Sequence, residues 1–323
     1  MCLFFFASDA TNPATMKLKY KIEYLLLRTA YFVINLMPLF LINFITLIVS
    51  WIAWVFIPLR ITVAYDNLSI VFPEASHSQK LKILRKAYNQ FVYAAGLIFV
   101  IHRKKVAHLI DQAEISGLDI VDEALAEGKG VILTTYHGCW FETYFAWFSR
   151  GRRPTSLIYQ QQSNPLCDSF FVKIRQRYGD NLDHIHSLEK LSVYTQALEK
   201  NRILIISLDQ NYTDNGTPVT FFNHQFTCAR GAALLHLKTK APVLTSVYYV
   251  KEGRLHIDFE KVALPEYHEI SDANIQEISN LSIIKYQKTI TSYPTQWFSL
   301  FHRLWKKDGY PPKVHRSLWQ IFS

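Results

Sequence analysis

The stretch GKGVILTTYHGCWFETYFAWF, residues 128–148, decides how the chain reads. Within it, 131–136 is a continuous apolar and β-branched run, as a strand buried on both faces requires. Gly128 closes a short predicted helix over 119–127, and 139–148 has helical spacing. Outward from this stretch the same punctuation recurs. A strand is predicted at 156–159, then helices at 165–178 and at 188–200, the latter with Ser187 as its cap. A second continuous strand is expected at 203–208, a helix at 229–238, and a strand at 243–250 with a partner at 255–259. Alternation of this kind implies an α/β fold: a mostly parallel central sheet flanked by helices. In such sheets, sites form beyond the carboxyl ends of the strands.

The amino-terminal part is different. Between Arg28 and Arg60 lie 31 residues without a charge, where about 20 apolar residues suffice to span a bilayer. Tyr31, Trp51 and Trp54 suit an interface. The run is too long for a signal peptide and no small-residue cleavage site follows it. As one straight helix it would reach ~46 Å against ~30 Å of hydrocarbon, so Pro38 and Pro58 are expected to make it tilted, bent or re-entrant. Lys17, Lys19, Lys21 and Arg28 precede it and only Arg60 follows closely. Positive-inside counting then puts the amino terminus inside and the remainder outside. Met16 begins a more typical amino terminus. The expected division is an extension at 1–15, a membrane anchor at 16–60, a helical connecting region at 61–112 and the α/β domain at 113–323.

Composition narrows the function. Half of the 323 residues are apolar, 15% are aromatic and 19% are charged, the last below the ~25% usual for soluble domains. That excludes a disordered or nucleic-acid-tail protein. The net charge of +9 asks for an acidic partner: anionic lipid, a phosphorylated substrate or an acidic carrier protein. Cys2, Cys139, Cys167 and Cys228 form no C-x-x-C pair, so neither a zinc site nor a disulfide framework is expected, and a reducing compartment fits. There is no G-x-S-x-G elbow, P-loop, H-E-x-x-H or G-x-G-x-x-G.

What remains is His137 at the end of the first strand and Glu142 five residues later. Five residues are about 500° of helix, so the two meet only if His137 stands in the turn and Glu142 in the first helical turn. Gly138 suits such a turn. A carboxylate on one imidazole nitrogen leaves the other free as a general base. Asp209 and Gln210 end the strand at 203–208 and share the rim with His137; Asp209 is either functional or a turn residue. Cys139 reads as packing rather than as a nucleophile, since no nearby basic group would make a thiolate.

His137-x-x-x-x-Glu142 behind an apolar amino-terminal segment resembles the late acyltransferases of lipid A biosynthesis, the lauroyl and myristoyl transferases. Four more blocks keep that family's order. NLSIVFPEASHSQKLKILRKAY (67–88) resembles its N-L-x-x-x-F-P-E segment, and NPLCDSFFVKIRQRYG (164–179) its N-P-L-x-D block. The third is DQNYTDNGTPVTFFNHQFTCARGAALLHLKTKAPVL (209–244), and the last is PTQWFSLFHRLWK (294–306). The resemblance implies transfer of a fatty acyl group from acyl carrier protein to a hydroxyl of a lipid A precursor. His137 would be the base and Glu142 its orienting partner, with no metal, cofactor or covalent nucleophile. It also implies a bacterial inner-membrane protein contacting membrane lipids, its catalytic domain on the cytoplasmic face, against the charge count.

The pattern departs from the family in places. Where the family has an Arg after the second strand, this chain has Tyr159-Gln160-Gln161. Arg175, Arg177 and Arg230 are the candidate replacements for oxyanion or phosphate binding, or else surface cations. Asn164 and Pro165 are expected to cap a helix. His302 stands one place later than in the family, and Lys306 and Lys307 suit anionic headgroups. Arg150, Arg152 and Arg153 form a compact cluster for docking an acidic carrier. The alternatives are the same chemistry on another glycolipid or a lysophospholipid, and a catalytically silent lipid-binding homologue.

Overall fold

The computed structural model describes residues 17–56, 60–212 and 215–305. It begins with helices α1 (Leu18–Leu36), α2 (Leu39–Phe56), α3 (Ile61–Val71), α4 (His77–Leu97) and α5 (Lys104–Asp111). The α/β part follows as β1 (Glu114–Ser116), α6 (Leu118–Ala126), β2 (Val131–Thr135), α7 (Phe141–Arg150), β3 (Thr155–Tyr159), α8 (Pro165–Gln176) and β4 (Leu182–His186). It continues with α9 (Leu191–Glu199), β5 (Ile203–Ser207), β6 (Gly216–Phe221), β7 (His224–Ala229) and α10 (Gly231–Thr239). The last elements are β8 (Val243–Lys251), β9 (Arg254–Lys261), α11 (Asp272–Ile283) and α12 (Lys285–Ser292).

Seven strands form one sheet in the order β1-β9-β8-β2-β5-β3-β4. The five from β8 to β4 are parallel, and β9 returns antiparallel on β8. This is the expected α/β class. The centre is the pair β2 and β5, whose Val131, Ile132, Leu133, Ile203, Leu204 and Ile205 are wholly excluded from solvent. Each such side chain contributes about 1.5–3 kcal/mol by burial, which is why these runs lack polar alternation.

Several boundaries differ from expectation. β4 was not anticipated, because Leu-Asp-His-Ile-His at a sheet edge carries little apolar signal. The helix expected from 188 starts at Leu191, and Ser187 does not cap it. Instead the Ser187 backbone N–H donates to Tyr159 O at 2.8 Å. The helix expected from 229 starts at Gly231, since 224–229 pairs with β6 in a separate hairpin. Cys139 and Trp140 stand in the turn before α7 rather than in the helix.

The uncharged run breaks at Met37-Pro38, while Pro58 lies outside the described residues, as do residues 1–15, Lys306 and Lys307. α2 is long and apolar enough to cross a membrane. One side of it packs on α4, where Arg85 donates to Ser50 Oγ at 2.8 Å and to Asn89 Oδ1 at 2.7 Å. Phe40, Phe44, Leu47, Trp51, Val55 and Phe56 are exposed. The end of α1 is closed by Arg103, which donates to Met37 O at 2.6 Å and Ile34 O at 2.9 Å, satisfying carbonyls that a helix terminus leaves open. Asn67 on α3 donates to Leu300 O and His302 O at 2.7 and 2.8 Å. The 67–88 and 294–306 blocks therefore meet in space.

Candidate active site

β2 and β5 run parallel in register, with Thr135 beside Ser207. Two residues further along each strand stand His137 and Asp209, so chain direction alone brings them to one rim. Leu208 N–H donates to Thr135 O at 3.0 Å, carrying the pairing past the strand ends. There His137 Nδ1 lies 2.6 Å from Asp209 Oδ1, and the His137 backbone N–H donates to the same oxygen at 2.9 Å. Asp209 Oδ2 accepts from Trp297 Nε1 at 2.9 Å.

Asp209 is completely buried, and the His137 side chain is 32% exposed. Burial alone would push the Asp209 carboxyl up. The neighbouring His137, with the hydrogen bonds from His137 and Trp297, outweighs burial and holds it below the ordinary carboxylate value. An ionised carboxylate only accepts, so Nδ1 is the donor to Asp209, and in the neutral tautomer that this selects, the lone pair is on Nε2.

The closing segment holds the turn from the other side. Phe298 N–H donates to His137 O at 2.8 Å, and Cys139 N–H donates to Gln296 O at 2.7 Å. Gly138 is required by close approach rather than by a left-handed backbone: a Cβ there would lie 2.8 Å from the Tyr248 ring. Tyr248 and Tyr136 lock each other, each hydroxyl donating to the other's carbonyl, at 2.9 and 2.5 Å. Cys139 is buried and its thiol is pushed up to about 12 by that burial, so it is a packing residue.

Glu142 does stand in the first turn of α7, but its carboxylate is turned to Arg175. The pair is bidentate, Nη2 to Oε1 at 2.6 Å and Nε to Oε2 at 3.0 Å. Burial alone would lower the Arg175 pKa; Glu142, and then Asp168 and Tyr159, reverse it. Thus His137 takes its carboxylate from Asp209, and Glu142 takes its cation from Arg175. The other candidates are elsewhere. Arg177 bonds the Tyr31 hydroxyl on α1, and Arg230 pairs with the exposed Asp272 at 2.6 Å. Asn164 caps α8 through Leu166 N–H and Cys167 N–H. The Arg150–Arg153 cluster is largely neutralised, since Arg150 forks onto Asp111 and Arg153 onto Asp122.

A cleft of about 620 Å³ opens beside the turn that follows His137, lined by Leu47, Tyr93, Leu97, Ile110 and Trp140 among others. Trp140 Nε1 and Gln90 Oε1 in this wall are buried without a hydrogen-bond partner among the described residues. Among those residues no cluster of His, Cys, Asp and Glu suits a metal ion. Reading the sequence alone missed Trp297, although it lies in the quoted PTQWF block, and missed the Glu142–Arg175 pairing.

The chain is 22% identical over 217 residues to a phosphatidylinositol mannoside acyltransferase of Mycobacterium tuberculosis, covering 67% of each chain. It is 29% identical over 124 residues to a lipid A biosynthesis acyltransferase of Haemophilus influenzae, a stretch that covers 38% of each chain. The profile of one family extends over residues 10–307, and the chain belongs to that family, the bacterial lipid A biosynthesis acyltransferases.

Proposed function

We propose that the protein is an acyltransferase that esterifies a hydroxyl of a lipid A precursor, with acyl carrier protein delivering the acyl group as a thioester. The observation that carries this is the His137–Asp209 pair at the rim of the sheet. His137 Nε2 takes the proton of the acceptor hydroxyl as its oxygen attacks the thioester carbonyl. The acyl C–S bond breaks as the ester C–O bond forms, and the proton passes from His137 to the departing thiolate. Asp209 holds the ring and stabilises the imidazolium. The orienting role expected of Glu142 passes to Asp209, and Glu142 with Arg175 braces α7 against α8.

The cleft beside Trp140 is suited to the acyl chain, because its wall is mostly apolar and starts at the catalytic turn. The exposed apolar sides of α1 and α2 are compatible with membrane association. The proposed seat is the cytoplasmic face of a bacterial inner membrane, where the carrier-bound donor is made available. A second acceptor class, a mannosylated phosphoinositide, is favoured by the longer match to the mycobacterial enzyme.

Turnover of purified full-length protein with an acyl-carrier thioester and each acceptor tests the reading. Wild type should acylate the lipid A precursor, and His137→Ala should lose on the order of 10²–10⁴ in rate. Transfer to the mannosylated lipid alone would reassign the acceptor. Unaltered turnover by a folded His137→Ala protein would overturn the mechanism.

A further inference from the structure

A second concavity, of about 210 Å³, lies between α1 and α8, lined by Tyr24, Arg28, Tyr31, Lys173 and Arg177 among others. Its position follows from helix periodicity. Lys173 and Arg177 are four residues apart and share a face, whereas Arg175 between them is turned by about 200° and meets Glu142. On α1, Tyr24, Arg28 and Tyr31 repeat at four and three residues and share the facing side.

The lining contains three cations and no carboxylate. Five other arginines of the domain are neutralised: Arg150 by Asp111, Arg153 by Asp122, Arg202 by Asp183, Arg230 by Asp272 and Arg254 by Glu114. Arg28, Lys173 and Arg177 have no such ion pair among the described residues. Arg28 and Arg177 instead touch the neutral phenols of Tyr24 and Tyr31. The Glu23 carboxylate on the same helix is already engaged, by Asn164 at 3.0 Å and Lys19 at 3.8 Å. Like charges four apart on a helix repel each other unless an anion meets them. The field reaches nearby His102, whose pKa is lowered by burial and then by Arg177 and Arg103.

Beside the Tyr24–Arg28–Tyr31 face, about 80–120° round α1 from Tyr24, run the exposed apolar side chains of Leu18, Leu25 and Phe32. Positive charge with planar, forked donors fits phosphate. An apolar rim beside it fits a phosphate that comes with hydrocarbon chains. We propose that this concavity binds the phosphate group of a lipid headgroup and so seats the α1–α8 edge on a phosphate-bearing lipid. The site is separate from His137, and its test does not depend on turnover.

Flotation of the full-length protein with phosphatidylcholine vesicles, with and without phosphatidic acid at low ionic strength, is the experiment. The quantity read is the gain in partitioning on adding phosphatidic acid, since the apolar helices contribute to both. Each cation near the surface is worth on the order of fivefold, so Arg28→Gln/Lys173→Gln/Arg177→Gln should lose roughly 100-fold of that gain. A control removing three exposed cations elsewhere, Lys200→Gln/Lys238→Gln/Lys251→Gln, should keep it. Arg28→Lys/Arg177→Lys, which keeps the charge and loses the fork, should fall between. Equal losses in the pocket and control variants would overturn the proposal. So would an equal gain from a fatty-acid anion at matched surface charge. Washing with inorganic phosphate at constant ionic strength separates the sources: retention on the vesicles supports the headgroup, and complete release reassigns the pocket to the free ion.

Discussion

Asp209 Oδ1 accepts two hydrogen bonds from one residue, His137: from its backbone N–H at 2.9 Å and from its Nδ1 at 2.6 Å. Fixing backbone and ring to one oxygen removes the freedom of the turn and of the side chain together. The carboxylate itself is held from behind by Trp297. This pre-orders Nε2 without any contribution from Glu142, and it comes from the register of two neighbouring strands.

Asp209→Asn should therefore be the severe substitution at this site after His137→Ala. The amide is the same size and can still accept from the ring, but the charge that stabilises imidazolium is gone. Turnover should fall by on the order of 10²–10⁴ with little change in KM. The limb of the rate–pH profile that reports the base should move to lower pH, since losing an adjacent negative charge disfavours the protonated ring. Combined with His137→Ala, the loss should barely exceed that of the worse single change. Additive losses in steady-state kinetics would mean that the two residues act separately.

How far the sequence could lead is visible in this pair. Continuous apolar runs placed β2 and β5 and put both His137 and Asp209 at strand ends. Adjacency of the two strands is a matter of topology that no local pattern encodes, so the carboxylate nearest in sequence, Glu142, attracted the orienting role. The partner of Glu142 lies 33 residues away on α8, at a distance where spacing says nothing. The carboxylates that neutralise Arg150 and Arg153 come from elements before β2 and were equally hidden. β4, short and rich in His, escaped notice because sheet edges do not require apolar alternation.

Glu142→Gln has a different signature from Asp209→Asn. It leaves Arg175, whose side chain is 15% exposed, as a buried cation without its bidentate partner. Breaking such a pair from one side costs about 3–5 kcal/mol. Chemical denaturation should show that loss, while the rate–pH profile of the remaining folded protein keeps its position. Glu142→Leu with Arg175→Met should recover most of the stability, because both charges are then removed together. A shifted rate–pH profile for Glu142→Gln would return this residue to the base.

His184 on β4 makes folding stability depend on pH. Burial, and then the charge of Arg175, lowers its pKa from 6.5 to about 4. Above pH 6.5 both folded and unfolded chains hold it neutral. Between 6.5 and about 4 the unfolded chain binds the proton and the folded chain does not, so this contribution makes stability fall as pH falls through that window. Below it both are protonated and the contribution is flat. His184→Gln should remove this part of the slope in urea titrations run across the window. An unchanged slope would mean that His184 protonates freely in the folded protein.

Gly138→Ala tests whether the catalytic turn is set by packing. The added Cβ would stand 2.8 Å from the Tyr248 ring and 3.2 Å from the Tyr136 hydroxyl. Neither ring can yield easily, since both are buried and bonded to each other's backbone. Overpacking of this kind costs about 1–3 kcal/mol. The turn moves more easily than the rings, and displacing a reacting group by 1 Å costs on the order of 10²-fold in rate. Turnover should therefore fall by more than the loss of folded protein explains, with a melting temperature lowered by only a few degrees. Tyr248→Leu makes room beside the new methyl group, so Gly138→Ala/Tyr248→Leu should lose less than the sum of the two single changes. Strict additivity in that cycle would show that the ring does not press on position 138, and the turn would then owe its shape to its hydrogen bonds with Asp209, Tyr248, Gln296 and Phe298.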